Sequence, residues 1–448
     1  MPNPRLWIVL PVALSFALQL ATAHAQNDGS AAIRGPIVVL ITIDGFPARA
    51  LNDPRLPMPT LRTLEANGAH ADAMQPINPT VTWPNHTTLI TGLDAAQHHV
   101  VANGLILFPG NGAAPQVKQW VPEDQLVHAR TLYDAAAEKD MTTGQVDWAA
   151  IYKAKNIRWQ FAERPIADGP ISTDLIKQRL VTKDQLVHFA DDSSPAWRDE
   201  IWTDAAIDIL TRHTPNLLLF HLLQTDTLQH EYGPMSSAAY AAYAYADSCL
   251  ARLVNAARSA GLLDRITFVI ASDHGFASYR HFVRLDVGLA QQGQSANIWI
   301  HPEDGSALLY IRNRSERAAR TPKLKSYFET MPGVAAVYTN QEARQFGIPS
   351  LEATDQAPDL YLTAKTDYAF IEGTDGPLVQ QIDPPRGTHG YLNTDPDMQA
   401  LFIASGAHIR HGVNLGSISN LRVAPTIAAI LGVSLPAAKQ PPLIEALQ

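Results

Sequence analysis

The chain holds a single cysteine, Cys249, so no disulfide can form within it and no thiolate-rich metal site can be built. A lone thiol of this kind is expected to be a small, buried hydrophobe. Charge is sparse as well. Only 17% of the 448 residues are charged, with 43 acids against 34 bases and a net charge of −9. No Lys/Arg run stands out, which disfavours a partner such as duplex nucleic acid, because phosphate neutralisation requires a basic patch. Internal repeats and low-complexity tracts are lacking too. What remains is an ordinary share of hydrophobic residues, 46%, enough for a sizeable core and too much for a disordered or collagen-like chain.

Past the N-terminus, no segment runs to 18 uninterrupted apolar residues, so no stable membrane span is expected. The N-terminus itself reads as an export signal over residues 1–25. Arg5 supplies the basic region, and Leu6 to Leu20 is an apolar stretch broken by Pro11 and Gln19. Ala23-His24-Ala25 then offers small residues where a signal peptidase cuts. The expected product is exported, periplasmic or secreted.

Strands alternate with helices along the rest of the chain. Pro36 to Ile43 is a β-branched run that suits a strand buried on both faces. Asn216–Leu223 and Ile266–Ala271 are similar, and Ala400–Ala404 is a fourth strand. Helices are predicted over Met58–Asn67, Ser236–Ala260 and Leu421–Leu431, the first two closed by Gly68 and Gly261. This pattern predicts an α/β fold, a largely parallel central sheet with helices on both faces. Residues 281–385 break the rhythm and read as an inserted α+β subdomain between core segments 35–280 and 386–435. Residues 104–125 read as a long loop.

Acidic residues and histidines fall where strands end. Asp44, Asp226 and the Asp273-His274 pair all do so, and open α/β sheets bind ligands beyond their carboxyl ends. Asp226 and His230 are four residues apart, one helical turn. His389 stands in Arg386-Gly387-Thr388-His389-Gly390, where the glycines permit close backbone approach. Carboxylate and imidazole donors without thiolate suit a catalytic zinc, and manganese or iron fits the same donors. In Val81-Thr82-Trp83-Pro84-Asn85-His86, Pro84 suits a first helical residue. Thr82 would then lie at a helix N-terminus, which favours anions, as a hydroxyl that needs a metal or base to become nucleophilic.

These residues resemble the type I phosphodiesterase/nucleotide pyrophosphatase family of the alkaline phosphatase superfamily. The matching pieces are Ile43-Asp44-Gly45-Phe46, Pro79 to His86 with Thr91-Gly92-Leu93, Asp226 to His230 with Gly233-Pro234, Ser272-Asp273-His274-Gly275, Gly387 to Tyr391, and Ala424-Pro425-Thr426. They stand in the family's order over about Ile37 to Val433. The resemblance implies an alkaline-phosphatase-like fold and two divalent metal ions, with zinc the expected metal. It implies Asp44, Thr82, Asp273 and His274 at the ion beside the nucleophile, and Asp226, His230 and His389 at the ion facing the leaving group. It also implies Thr82 as nucleophile and a phospho-threonine intermediate. Asn103 and the Trp83 N–H would face the phosphoryl oxygens, and Trp83 would bind substrate. Departures fall at Gln145 to Ala150, where nucleotide-cleaving relatives carry Trp-Pro-Gly, and at Leu392 and His99.

No Arg or Lys occurs from residue 79 to 104. A dianionic monoester calls for extra positive charge, so the expected substrate is a small phosphodiester or nucleotide pyrophosphate. The competing readings are a phosphomonoesterase or phosphonate hydrolase on the same scaffold, with Arg280 or Arg386 reaching the site, and a metal-retaining binding protein whose catalysis has decayed. If the export signal is cut as read, mass spectrometry of the exported fraction will find a chain beginning at Gln26. Intact chain beginning at Met1 in the cytoplasm would refute it.

Overall fold

Every side chain of the Ile37–Ile43 strand is buried, and the strand divides its side chains between two cores. Ile37, Val39, Ile41 and Ile43 join a cluster with Trp202, Tyr243 and Leu250. Val38 and Leu40 point the other way, into a cluster with Leu89, Tyr133 and Ile427. Alternation across a pleat explains why the run is apolar throughout, since each face meets a helical layer. The computed structural model describes residues 35–109 and 113–448. The expected signal segment, 1–25, lies outside the described residues.

This strand sits inside an eight-stranded sheet. It pairs in parallel with Leu217–Leu222 on one side and with Ile266–Ala271 on the other. Thr143–Val146 and then Trp159–Phe161 extend the parallel run beyond Leu217–Leu222. On the opposite side Phe402–Gly406 pairs antiparallel with Ile266–Ala271, two residues later than the sequence pattern placed it. Gly68–His70 and Val413–Asn414 complete that edge. The fold is α/β with a mostly parallel central sheet. Strand order reverses at Ile37–Ile43, so the crevice beyond its carboxyl end is the place where such sheets bind ligands.

The helices lie near where the sequence puts them, over Pro59–Ala66, Ser237–Ser259 and Val423–Leu431. Two local expectations are corrected. The helix expected to begin at Pro84 begins at Thr82, so Thr82 itself is its first residue and Pro84 lies inside the first turn. The expected loop 104–125 contains a hairpin, Leu105–Leu107 with Gln116–Lys118, followed by a helical turn at Glu123–Leu126. Strands of three residues carry no readable period.

Residues 281 and 385 fall inside two strands, Ala277–Val283 and Val379–Thr388, which pair antiparallel with each other. Between them lies a four-stranded antiparallel sheet of Ile298–Glu303, Ser306–Ile311, Leu360–Ala364 and Val334–Thr339. Leu324 and Phe328 of the Arg317–Glu329 helix pack in the same hydrophobic cluster. The Glu303–Gly305 turn of the four-stranded sheet reaches the segment that follows the Val379–Thr388 strand. The Gly305 N–H donates to the His389 carbonyl (2.9 Å). A Cβ on Gly390, whose φ is +86°, would collide with the Glu303 carbonyl oxygen. On the other side of His389, a Cβ on Gly387 would collide with the Gln229 carbonyl oxygen. That backbone contact sets how closely the Val379–Thr388 strand approaches the helix carrying Asp226 and His230. Gly387→Ala is therefore expected to lower stability by about 1–3 kcal/mol, as overpacking does, in a denaturant titration of the metal-free protein. An unchanged midpoint would show that this contact is not tight.

Candidate metal centre and nucleophile site

Strand ends converge at the crevice. Asp44 follows Ile37–Ile43, and Asp273 and His274 follow Ile266–Ala271. Two bonds hold these ends together: the Gly45 N–H donates to Asp273 Oδ1 (3.1 Å) and the Phe46 N–H to Ser272 Oγ (2.8 Å). Asp226 and His230 lie on the Gln224–Tyr232 helix, which begins just after Leu217–Leu222. The four-residue spacing works as a helical turn should, with His230 Nε2 3.4 Å from Asp226 Oδ1. His389 arrives at the end of Val379–Thr388, its Nε2 3.8 Å from the same oxygen.

Donor atoms of Asp226, His230 and His389 all lie within 4.8 Å of one another, and so do those of Asp44, Asp226 and His274. Asp226 thus belongs to both groups rather than to one alone. Asp273 Oδ2 stands 3.3 Å from His274 Nε2, beside the second group.

Two observations test whether these donors fit metal ions. First, Asp44 Oδ1, Asp226 Oδ1, Asp273 Oδ2 and His274 Nε2 are buried without a hydrogen-bond partner. Buried polar atoms are rarely left so, and an orphaned carboxylate oxygen calls for a cation. Second, the three imidazoles share one orientation. Nδ1–H donates to a backbone carbonyl in each: Gly387 for His230 (3.2 Å), Gly275 for His274 (3.1 Å) and Thr80 for His389 (2.9 Å). That bond fixes the tautomer and aims Nε2 at the cluster, as in metal-ligating histidines. A third acidic group, Asp174, Asp208 and His213, differs in kind. Arg212 stands 3.7 Å from Asp174 and 3.6 Å from Asp208, so that group already carries its compensating charge.

Electrostatics agree with the geometry. Burial, then repulsion from Asp273 and Asp226, raises the Asp44 carboxyl well above its ordinary range. Burial pushes His389 down to about 3 and His274 to about 4, which keeps both imidazoles neutral and able to ligate. Burial also works against a proton on His230, but the charge of Asp226 prevails and holds it at about 9. Proton and cation therefore compete for that ring.

Thr82 lines the same cavity as Asp44 and Asp226, an opening of about 240 Å³ with Trp83 and Trp148 in its wall. Asn103 lines it too, but its Oδ1 accepts the Trp83 N–H (2.9 Å). The expectation of a free Trp83 N–H is corrected, since the backbone donor is engaged by the side chain meant to act beside it. The departing segment Gln145 to Ala150 forms cavity wall, with Trp148 edge-on to His86 at 4.8 Å. Neither Arg280 nor Arg386 lines the cavity; Lys153 is the one Lys or Arg among the described lining residues.

Three buried groups escaped the sequence reading. His86 joins Thr42 Oγ1 (2.9 Å) to the Thr82 carbonyl (2.9 Å), steadying the first turn of the nucleophile helix. His221 contacts Asp44 Oδ2 (3.0 Å) and Asp147 Oδ2 (2.9 Å). The available signal was a histidine inside the apolar run Leu217-Leu218-Leu219-Phe220-His221-Leu222. His98 is fully buried, its Nε2 3.2 Å from Thr88 Oγ1.

Residues 38–392 match the type I phosphodiesterase/nucleotide pyrophosphatase family. Human ectonucleotide pyrophosphatase/phosphodiesterase family member 1 is 22% identical over 426 residues, covering 89% of this chain and 40% of the relative. Venom phosphodiesterase 2 of Crotalus adamanteus is 22% identical, covering 93% of this chain and 47% of the venom protein. The chain thus spans less than half the length of these curated relatives. Among solved structures, human ectonucleotide pyrophosphatase/phosphodiesterase 5 superposes with a TM-score of 0.68 at 18% identity, covering 89% of this chain and 95% of that one. An inactive variant of the murine protein in complex with AMP gives 0.68 at 17% identity, covering 92% and 100%. Fold, ordered motifs and family match agree: the chain belongs to the type I phosphodiesterase/nucleotide pyrophosphatase family.

Proposed function

We propose that this chain is an exported, two-metal phosphodiesterase or nucleotide pyrophosphatase acting through a phospho-threonine intermediate. The four orphaned donor atoms facing one another beside Thr82 carry the reading. Asp44, Asp273 and His274, with Thr82, would hold one ion, and Asp226, His230 and His389 the other. Oxygen and neutral imidazole donors without thiolate suit zinc. Such ions, when bound, supply positive charge that lowers the pKa of an adjacent hydroxyl or water and offsets charge on the departing oxygen.

The protein's own part follows from its residues. Thr82 Oγ attacks phosphorus, the bond to the leaving-group oxygen breaks, and Thr82 carries the phosphoryl ester. Water then displaces Thr82 and restores its hydroxyl. Thr82 is the first residue of the Thr82–Thr91 helix, whose positive dipole end favours the incoming anion. Asn103 lines the cavity where a non-bridging oxygen would sit. Trp83 and Trp148 offer flat apolar faces to one substituent of a diester. The cavity wall carries few cations, which favours a monoanionic diester or pyrophosphate over a monoester. The AMP complex of the murine structure and the nucleotide activity named for the human relative support a nucleotide substrate. The ecto- and venom enzymes among the relatives support export. No helix among the described residues is long and apolar enough to cross a membrane. Residues 1–25 would then be a cleaved signal, 35–280 and 386–435 the catalytic core, and 281–385 an insertion into it.

Two outcomes are expected. Elemental analysis should find close to two transition-metal ions per chain, and His389→Ala should lose most of one while remaining folded; unchanged metal content would remove His389 from the ligand set. Thr82→Ala should keep its metals but hydrolyse bis-p-nitrophenyl phosphate at least ~10³-fold more slowly than wild type, with Thr82→Ser retaining part of the rate. Near-wild-type turnover by Thr82→Ala would mean that water attacks directly. A strong preference for p-nitrophenyl phosphate would make the enzyme a phosphomonoesterase.

A further inference from the structure

The two oxygens of Asp44 have different surroundings. Oδ1 is buried without a hydrogen-bond partner, 3.5 Å from His274 Nε2, on the side of the cluster. Oδ2 accepts from His221 Nε2 (3.0 Å). The other ring nitrogen of His221 donates to Asp147 Oδ2 (2.9 Å). Both ring nitrogens thus donate to carboxylates, and all three side chains are buried.

The three residues come from three neighbouring strands. Asp44 follows Ile37–Ile43, His221 lies within Leu217–Leu222, and Asp147 follows Thr143–Val146. Parallel register places His221 opposite Thr42 and Phe220 opposite Val146, so the contacts run straight across the sheet's carboxyl end. The imidazole has little freedom of its own. It stands edge-on to His86 at 4.7 Å, and the backbone beneath it is held by ladders on both sides.

Asp147 also opens the segment that forms the cavity wall. Asp147, Ala150 and Lys153 all have positive φ, at 54°, 56° and 57°. Non-glycine residues held there are strained and persist only where the surroundings fix them. The Asp147 N–H donates to the Phe161 carbonyl (3.0 Å), and its side chain to His221 is the second tie.

We propose that Asp147 and His221 form a positioning relay for Asp44, holding Oδ2 so that Oδ1 faces the ion beside the nucleophile. The inference rests on the reading of Asp44 as a metal ligand. A carboxylate free to rotate about its last bond would present either oxygen, or both, to an ion. Tying one oxygen to an imidazole leaves one donor in one direction, and the Asp147 carboxylate fixes the ring that ties it. Outer partners of this kind affect metal affinity by about 10–100-fold.

The test is a competition titration of the metal-free full-length protein with zinc against a chromophoric chelator, resolving two binding events. Asp44→Asn should weaken one of them. His221→Asn, whose amide reaches only the Nδ1 position, should weaken the same event by about 10–100-fold and leave the other unchanged. His221→Gln, whose amide reaches the Nε2 position, should recover most of that loss. Asp147→Leu should act like His221→Asn, and the double variant should be no worse than either, because both break one chain of contacts. Asp147→Asn keeps an acceptor for Nδ1–H and serves as the milder variant should Asp147→Leu not fold; it should lose less affinity than His221→Asn. Equal losses in His221→Asn and His221→Gln, loss of both events together, additive losses in the double variant, or unchanged affinity would each overturn the relay. If Asp44→Asn itself binds both ions like wild type, Asp44 is not a ligand and the underlying reading fails. If Asp44→Asn loses an ion while His221→Asn does not, only the relay fails.

Discussion

Mutual repulsion among buried carboxylates is the constraint around which this molecule is arranged. Asp44 and Asp273 are fully buried with the half-buried Asp226 beside them, and burial first, then the charges of Asp273 and Asp226, raises the Asp44 carboxyl well above its usual range. Unpaired buried charge is among the most expensive arrangements a fold can hold. The sequence could have relieved it with Arg or Lys. Instead it surrounds the carboxylates with imidazoles whose Nδ1–H groups are already committed to backbone carbonyls. The compensation left for the remaining lone pairs is a cation from outside the chain.

The rest of the architecture keeps that arrangement from relaxing. A parallel strand buried on both faces cannot slip by one residue without turning core side chains toward the wrong layer. Asp44 and Asp273 are therefore fixed by the register of adjacent strands and joined by the Gly45 and Phe46 backbone bonds. Asp226 and His230 are fixed relative to each other by one helical turn. Thr82, the first residue of the Thr82–Thr91 helix, lines the same cavity as Asp44 and Asp226, so the positive end of that helix complements the carboxylates.

Much of this was legible in the chain. Buried strands announce themselves by β-branched runs, and Asp44, Asp226, Asp273 and His274 each stand one to four residues beyond one. His389 was legible only through its glycine-flanked motif, because nothing local says that the Val379–Thr388 strand returns to the crevice that holds His274. Contacts that depend on register were not legible. His221 meets Asp44 and Asp147 because three strands align, and sequence gives each strand without its alignment. The same holds for Trp83 and Asn103, where motif matching suggested two independent donors and the folded chain bonds one to the other. Pro84 misled for a simpler reason. Proline is tolerated throughout the first helical turn, so it marks a helix start only to within a residue or two.

The contact between Gly305 and His389 bears on the order in which the molecule assembles. Of the ligand candidates, His389 is the last to leave the ribosome, and its carbonyl is held by a turn of the smaller antiparallel sheet. A nascent chain that has paired Ile37–Ile43 with Leu217–Leu222 and Ile266–Ala271 has gathered the carboxylates but not this imidazole. Pairings so distant in sequence form late, since loop-closure entropy opposes them until neighbouring contacts exist. Complete ion capture would then report that the whole chain has folded, and an ion that binds only the finished state deepens that state by mass action. The smaller sheet, through its Glu303–Gly305 turn, would serve as the latch on the folding reaction.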